Sequence, residues 1–536
     1  MGTMRSVIAA AALAAAVIAV PAARAADPPA CAPSDVEGGE WRSYGHDASN
    51  TRSQPEASLA AADAVTLAPA WTFSSTGAGG SGDFTGTPVV ADGCLFVASN
   101  GGWVYTLNAD TGELVWKAQV PNEGAINSSV AVDSGRVFVA VSKTSAPYVA
   151  AFDQATGELA WASDPVDVQA GSDSYASPVV FDGVVVTGVS GGAAELGDQT
   201  DRYAFQGSII FQDAATGDVL KKTWTIHSPD EPDDGFAGAA VWSTPAVDPE
   251  EKAGYVGTGN PFQPEKEHDH ANAVVRFDLD RASPTFGNIV GSYKGNIDEY
   301  LPGYSELPCF KWPGGQPTYP QGVGSCGDID LDFGASPNIF EIDDRNVVGA
   351  GQKSGVYHVF DAANMEPVWT AVVGPPTPVG GIVGSTAFDG QSVFGPVTVP
   401  GHLWSVNGVD GGVRWVSATA DGVHWGNPVA EANGVIYTVD FKGFLDAYDA
   451  ATGAPLLHRP LIAGSDTGVG PVLSWGGVSV ARDTVYATSG ISGLPDGFIV
   501  AFRPGGGDGG GEGGGGGGGD PELPGVPEAP GEAARR

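Results

Sequence analysis

One phrase returns eight times along this chain: an apolar stretch running into an acidic, glycine-containing turn, as in VYTLNADTGELVW, YVAAFDQATGELAW, SIIFQDAATGDVL and FLDAYDAATGAPL. Trp71, Trp116 and Trp161 keep step with it at intervals of 45 residues. A second phrase precedes each copy, as in GTPVVADG, ASPVVFDG, STPAVDPEE and GNPVAEANG, and reads as a short strand ending in a tight turn. A third strand lies between the two, as in CLFVASN and VIYTVDF. Four strands at this period specify the blade of a β-propeller, a unit that buries its faces only by stacking on its neighbours. The last copy, FIVAFRP, has no fourth strand after it, while LAPAWTF near the N-terminus is a fourth strand with no blade before it. Together they complete an eighth blade, so the two ends of the chain close the ring and hide its edges. The expected fold is all-β: one eight-bladed propeller of four-stranded antiparallel blades within residues 26–504.

The flanks read differently. Residues 1–25 carry Arg5, an apolar run over residues 7–20 and a small-x-small end at Ala23-Arg24-Ala25. That is the pattern of an export signal, and it places the protein outside the cytoplasm: secreted, periplasmic or in the cell envelope. No later segment is long and apolar enough to span a membrane. Residues 505–536 are dominated by Gly, Pro and acidic residues, and such a segment is expected to be disordered. Export permits disulfides, and the four cysteines allow three pairings. Cys309 and Cys326 bracket a Pro/Gly-rich loop, which favours their bridge and leaves Cys31 with Cys94; the connection that carries them, from about Asn288 to Leu331, is longer than a blade connection needs and is expected to cap the channel. The net charge of −38 argues against nucleic acid, whose phosphates require Lys and Arg, and against anionic membrane surfaces.

The stretch GDIDLDFGASP sets Asp328, Asp330 and Asp332 at alternate positions. These carboxylates repel one another unless a cation sits nearby. In a propeller the first strand of each blade (A) lies innermost and runs antiparallel to the second (B). The starts of A strands and the ends of B strands therefore share one rim of the channel. Glu195 follows a B strand in VVVTGVSGGAAELG, Asn260 ends one in GYVGTGNP, and Lys353 ends another in VVGAGQKSG. Trp242 opens an A strand in VWSTP, and Asp332 opens the next. Each alone has an ordinary explanation: a surface acid, a turn-initiating amide, a core aromatic, a solvated lysine, a loop carboxylate. Five of them from three consecutive blades on one rim argue for a site. Two carboxylates and an amide oxygen are hard donors that suit Ca²⁺.

With these residues in place the chain resembles the pyrroloquinoline-quinone (PQQ) alcohol dehydrogenases. The opening WRSYGHDASNTRSQP and the segment GQKSGVYHVFDA are most similar to the polyvinyl-alcohol dehydrogenase-type group. The resemblance runs from Trp41 to Pro504. It implies that Glu195, Asn260 and Asp332 ligate Ca²⁺, that Trp242 forms the floor beneath the quinone, that Lys353 hydrogen-bonds it, and that Asp332 is the catalytic base. Relatives that use lanthanides carry a further acid two residues beyond the base; Gly334 stands there, which favours Ca²⁺. The methanol-oxidising branch has a vicinal cysteine pair and an arginine where this chain reads AINSSVAV. The implied activity is oxidation of an alcohol, secondary or polymeric among the candidates, with electrons leaving to a separate acceptor such as a cytochrome c. The alternatives are a non-catalytic propeller serving as a protein-binding or assembly scaffold, and an extracellular sugar-binding module.

Overall fold

The computed structural model describes Gly2, Cys31 and residues 38–505, except residues 193, 195–204, 229–235, 263–267, 296–330, 375–379, 418–423, 425 and 463–472. Eight antiparallel sheets of strand order A-B-C-D make up the molecule, one of them with an added fifth strand. Blade 1 runs Val89–Ala91, Cys94–Ala98, Trp103–Asn108, Leu114–Gln119, and the same sequence of short inner and longer outer strands recurs through blade 7. In the eighth, the N-terminal strand Leu67–Ser74 pairs antiparallel with the C-terminal strand Phe498–Pro504. The ring closes across the two ends of the chain, as the repeat predicts. The expected eight-bladed architecture is what the structure has.

The spaced tryptophans dock one blade on the next. The Trp71 ring packs on the turn glycine Gly112 of blade 1, Trp116 on Gly157 of blade 2, and Trp161 on Gly217 of blade 3. Trp369 and Trp415 repeat the contact on Gly411 and Gly453. A methyl at Gly112 or Gly157 would lie 2.6 or 2.5 Å from the ring, and both residues hold φ near +70°, so glycine is required twice over. The indole N–H then donates to a backbone carbonyl of the same turn region, Trp116 to Gln154 at 3.0 Å and Trp161 to Ala214 at 3.1 Å. Blade 7 ends in Leu457 at the corresponding place. Its neighbour, the eighth blade, has no C–D turn to receive a ring, because the chain closes there; Leu457 packs instead against the large core at the seam.

A second device links blades 1 to 6. At the start of the inner strands each backbone N–H donates to the hydroxyl of the next blade: Thr87 to Ser129, Ser129 to Ser177, Ser177 to Thr244, Thr244 to Ser336 and Ser336 to Ser385, at 2.8–3.2 Å. Inside this belt runs the N-terminal segment. Trp41 bridges Val90, and the carbonyls of Arg42, Ala48, Ser49, Thr51 and Arg52 accept from Val132, Val247, Ile339, Phe388 and Glu431. Ser53–Gln54 then adds to blade 7 as a parallel fifth strand. Arg52 is fully buried; its guanidinium donates to the carbonyls of Val429, Val478 and Tyr44, joining blades 7 and 8 to the segment itself. The segment WRSYGHDASNTRSQP is thus a plug laid across the inner strands.

Cys31 and Cys94 are disulfide-bonded, tying the residues before the plug to blade 1. Cys309 and Cys326, the expected export signal apart from Gly2, and residues 506–536 lie outside the described residues. One expectation needs correction. The long connection read as starting near Asn288 starts later, because Ile289–Lys294 is the D strand of blade 4, paired with Ala273–Asp278. That strand carries no tryptophan; Gly291 meets Met365 of blade 5 instead, which hid it from the repeat.

Candidate active site

Three of the five candidate residues touch. The Asp332 carboxylate is 4% exposed and receives Trp242 Nε1 on Oδ2 at 2.8 Å. Lys353 Nζ stands 2.7 Å from its Oδ1 and 5.1 Å from the centroid of the Trp242 ring. One carboxylate is thus held by an indole N–H on one oxygen and an ammonium on the other, with the ammonium over the indole face.

Local backbone pairing sets this up. Lys353 is two residues past the B strand Arg345–Gly351 of blade 5, and its N–H donates to the Asp332 carbonyl at 3.1 Å. The next residue, Phe333, donates to the Thr258 carbonyl of blade 4 at 3.2 Å. Asn260 follows two residues later, so it is delivered to the same rim and is partly exposed there. Trp242 precedes the A strand of blade 4, where Ser243 Oγ and Gly257 exchange hydrogen bonds that fix the strand start. Glu195 lies outside the described residues.

Gly334 has a specific role here. A Cβ at that position would fall 2.1 Å from Cη2 of Trp242. The indole therefore lies close against the backbone, and no side chain fits at residue 334 without moving it. The position that separates the expected Ca²⁺ and lanthanide patterns is closed by the tryptophan.

The donor set fits a quinone and a hard cation. Trp242 offers an aromatic plane, Lys353 a cation, and Asp332 and Asn260 oxygen donors at one rim. Two further polar residues went unselected in the sequence. Thr398 is two residues past the B strand Ser392–Pro396 of blade 6, the same position as Lys353 in blade 5, and its buried Oγ1 has no hydrogen-bond partner among the described residues. Gly380 packs between it and Lys353. His424, fully buried just before the A strand of blade 7, donates its backbone N–H to the Thr398 carbonyl. The rule that selected Lys353 also reaches Thr398; His424 has no motif to mark it.

Comparisons with known proteins relate the chain to alcohol-oxidising and assembly-factor propellers. A family model described as outer membrane protein assembly factor BamB matches residues 55–258. The chain is 27% identical to a polyvinylalcohol dehydrogenase of a Pseudomonas species over 85% of its own length and 73% of the relative's. It is also 27% identical to the polyvinylalcohol dehydrogenase of a Sphingopyxis species, over 87% of this chain and 76% of that one. Among solved structures, the quinohemoprotein alcohol dehydrogenase of Comamonas testosteroni superposes with a TM-score of 0.68 at 19% identity, covering 88% of this chain and 81% of that one, which shows a shared fold. The chain is therefore similar in sequence to quinoprotein alcohol dehydrogenases over most of its length and shares their propeller fold.

Proposed function

We propose that this protein oxidises an alcohol outside the cytoplasm with PQQ and Ca²⁺, and that a secondary or polymeric alcohol is its substrate. The observation that carries the reading is the Trp242–Asp332–Lys353 contact at the rim where the family's chemistry would take place. The similarity to two polyvinylalcohol dehydrogenases over most of the chain supports the substrate class.

Trp242 would lie beneath the quinone, Lys353 would donate to it, and Glu195, Asn260 and Asp332 would hold Ca²⁺. Bound PQQ supplies the two-electron acceptor that no side chain offers. The chain's own part is orientation and proton handling. Gly334 and the Asp332 hydrogen bond hold the indole plane in one position. Asp332 accepts the alcohol's hydroxyl proton on a carboxylate oxygen. Lys353 offsets the carboxylate's charge at a position nearly closed to water, where an uncompensated charge is costly. The ammonium then stands beside any oxygen that gains negative charge during the reaction, which is the arrangement that lowers such barriers. Electrons leave to a separate acceptor such as a cytochrome c.

The match to an assembly-factor family over residues 55–258 supports a second reading, a non-catalytic scaffold. One experiment separates them. Purified protein is titrated with PQQ in the presence of Ca²⁺ or of a chelator, followed by absorbance, then assayed with an artificial electron acceptor on primary, secondary and polymeric alcohols. Stoichiometric, Ca²⁺-dependent binding and dye reduction are expected. No quinone uptake under either condition supports the scaffold.

A further inference from the structure

Blade 7 holds a cluster that the alcohol-oxidising site does not use. Asp440 follows its B strand Val435–Val439, Asp446 lies in its C strand Phe444–Asp449, and His458 in its D strand Pro455–Pro460. Register brings them together: Asp446 pairs with Thr438 on one side and with His458 on the other. Because side chains alternate along a strand, Asp440, two residues beyond Thr438, projects to the same face.

The Asp440 side chain is fully buried. Its Oδ1 accepts the Phe444 N–H at 2.9 Å, while Oδ2 has no hydrogen-bond partner among the described residues. Asp446 is 4% exposed, and its Oδ1 lies 2.6 Å from His458 Nδ1. One ligand atom from each of the three residues lies within 4.8 Å of the other two. The Phe444 ring stacks flat on the His458 imidazole at 4.3 Å between centroids and 3° between planes, which fixes the ring's orientation. A buried carboxylate oxygen with no donor calls for an ion or a water in a native structure.

We propose that Asp440, Asp446 and His458 form a binding site for a divalent transition-metal ion, zinc in particular. An imidazole nitrogen with two carboxylate oxygens is a mixed donor set that suits Zn²⁺ and its first-row neighbours, whereas Ca²⁺ prefers oxygen alone. Three protein ligands leave one tetrahedral position for water. His458 remains about a third exposed, which gives the ion a path in. The ion clamps the second, third and fourth strands of the blade beside the seam where the chain ends meet. That is also the blade whose last strand has Leu457 in place of a docking tryptophan.

The test is a titration of untagged, chelator-treated full-length protein with Co²⁺, read by visible absorbance, and with Zn²⁺, read by calorimetry and thermal melting. One equivalent per chain should give a visible Co²⁺ band and raise Tm. His458→Gln and Asp440→Asn should each weaken binding by about 100-fold or more, since even outer partners of metal ligands cost 10–100-fold. Asp332→Asn should leave this binding intact, which separates it from the quinone-site cation. Absence of binding by the wild-type protein would overturn the proposal whether or not the variants fold. So would binding that survives both substitutions, or an Oδ2 partner that proves to be a water in metal-saturated crystals.

Discussion

Lys353 Nζ lies 2.7 Å from Asp332 Oδ1, and the two residues come from opposite ends of a hairpin in blade 5, with Lys353 also donating its backbone N–H to the Asp332 carbonyl. The pair is therefore fixed by backbone and side chain together. Both partners are nearly closed to solvent, so removing one leaves a buried charge alone. Lys353→Met should destabilise the protein by about 3 kcal/mol, and combining it with Asp332→Asn should recover part of that loss. Urea unfolding of the two single variants and the double variant measures the coupling. Additive effects would mean that the pair contributes no coupling.

Gly334→Ala places a methyl where the Trp242 ring now lies. The indole must move, and its hydrogen bond to Asp332 should break. Quinone affinity should fall with little change in global stability beyond about 1–3 kcal/mol of overpacking. Cofactor titration and tryptophan fluorescence report the two effects separately. An unchanged affinity with a displaced indole would show that Trp242 does not form the quinone's floor.

The plug predicts a stability defect far from that rim. Arg52 ends on three carbonyls from separate parts of the chain. Arg52→Met keeps much of the stem but strips those carbonyls of their donor, at a cost of about 3–5 kcal/mol. Chemical denaturation checks the figure.

Two buried histidines should make the fold acid-sensitive. Burial pushes His358 down to about 3 and His424 down to about 4, from an ordinary value of 6.5. The unfolded chain takes up these protons near pH 6.5, whereas the folded chain resists until much lower pH. Stability is thus full above about pH 6.5 and falls as pH drops toward 4. Each histidine contributes a slope approaching about 1.4 kcal/mol per pH unit in that window. His358→Gln should flatten the dependence of unfolding free energy on pH between 6 and 4; an unchanged slope would show that His358 is protonated in the fold.

Much of this architecture could be read directly from residues. The Trp–Gly recurrence is both the sequence signal and the physical contact between blades, so blade number and closure were legible together. Trp242, Asp332 and Lys353 were found because strand ends on one rim are a consequence of topology. The plug was not legible: its partners come from nearly every blade, and WRSYGHDASNTRSQP has no periodicity of its own. The D strand Ile289–Lys294 lacked the expected tryptophan and was taken into the following connection. The Asp440–Asp446–His458 cluster depends on strand register, which the repeat alone does not fix to the residue.

The central claim is that Asp332 is the base of an alcohol-oxidising quinoprotein. Asp332→Asn keeps the side chain's size and can still accept from Trp242, but it loses the group that takes a proton. Turnover of the Asp332→Asn variant, measured with PQQ and Ca²⁺ supplied and quinone binding followed on the same sample, should fall about 10²–10⁴-fold in a protein that stays folded. Asp328→Asn, in the same acidic stretch, should cost far less. Near-native turnover in Asp332→Asn, or inactivity in Asp328→Asn instead, would contradict the account.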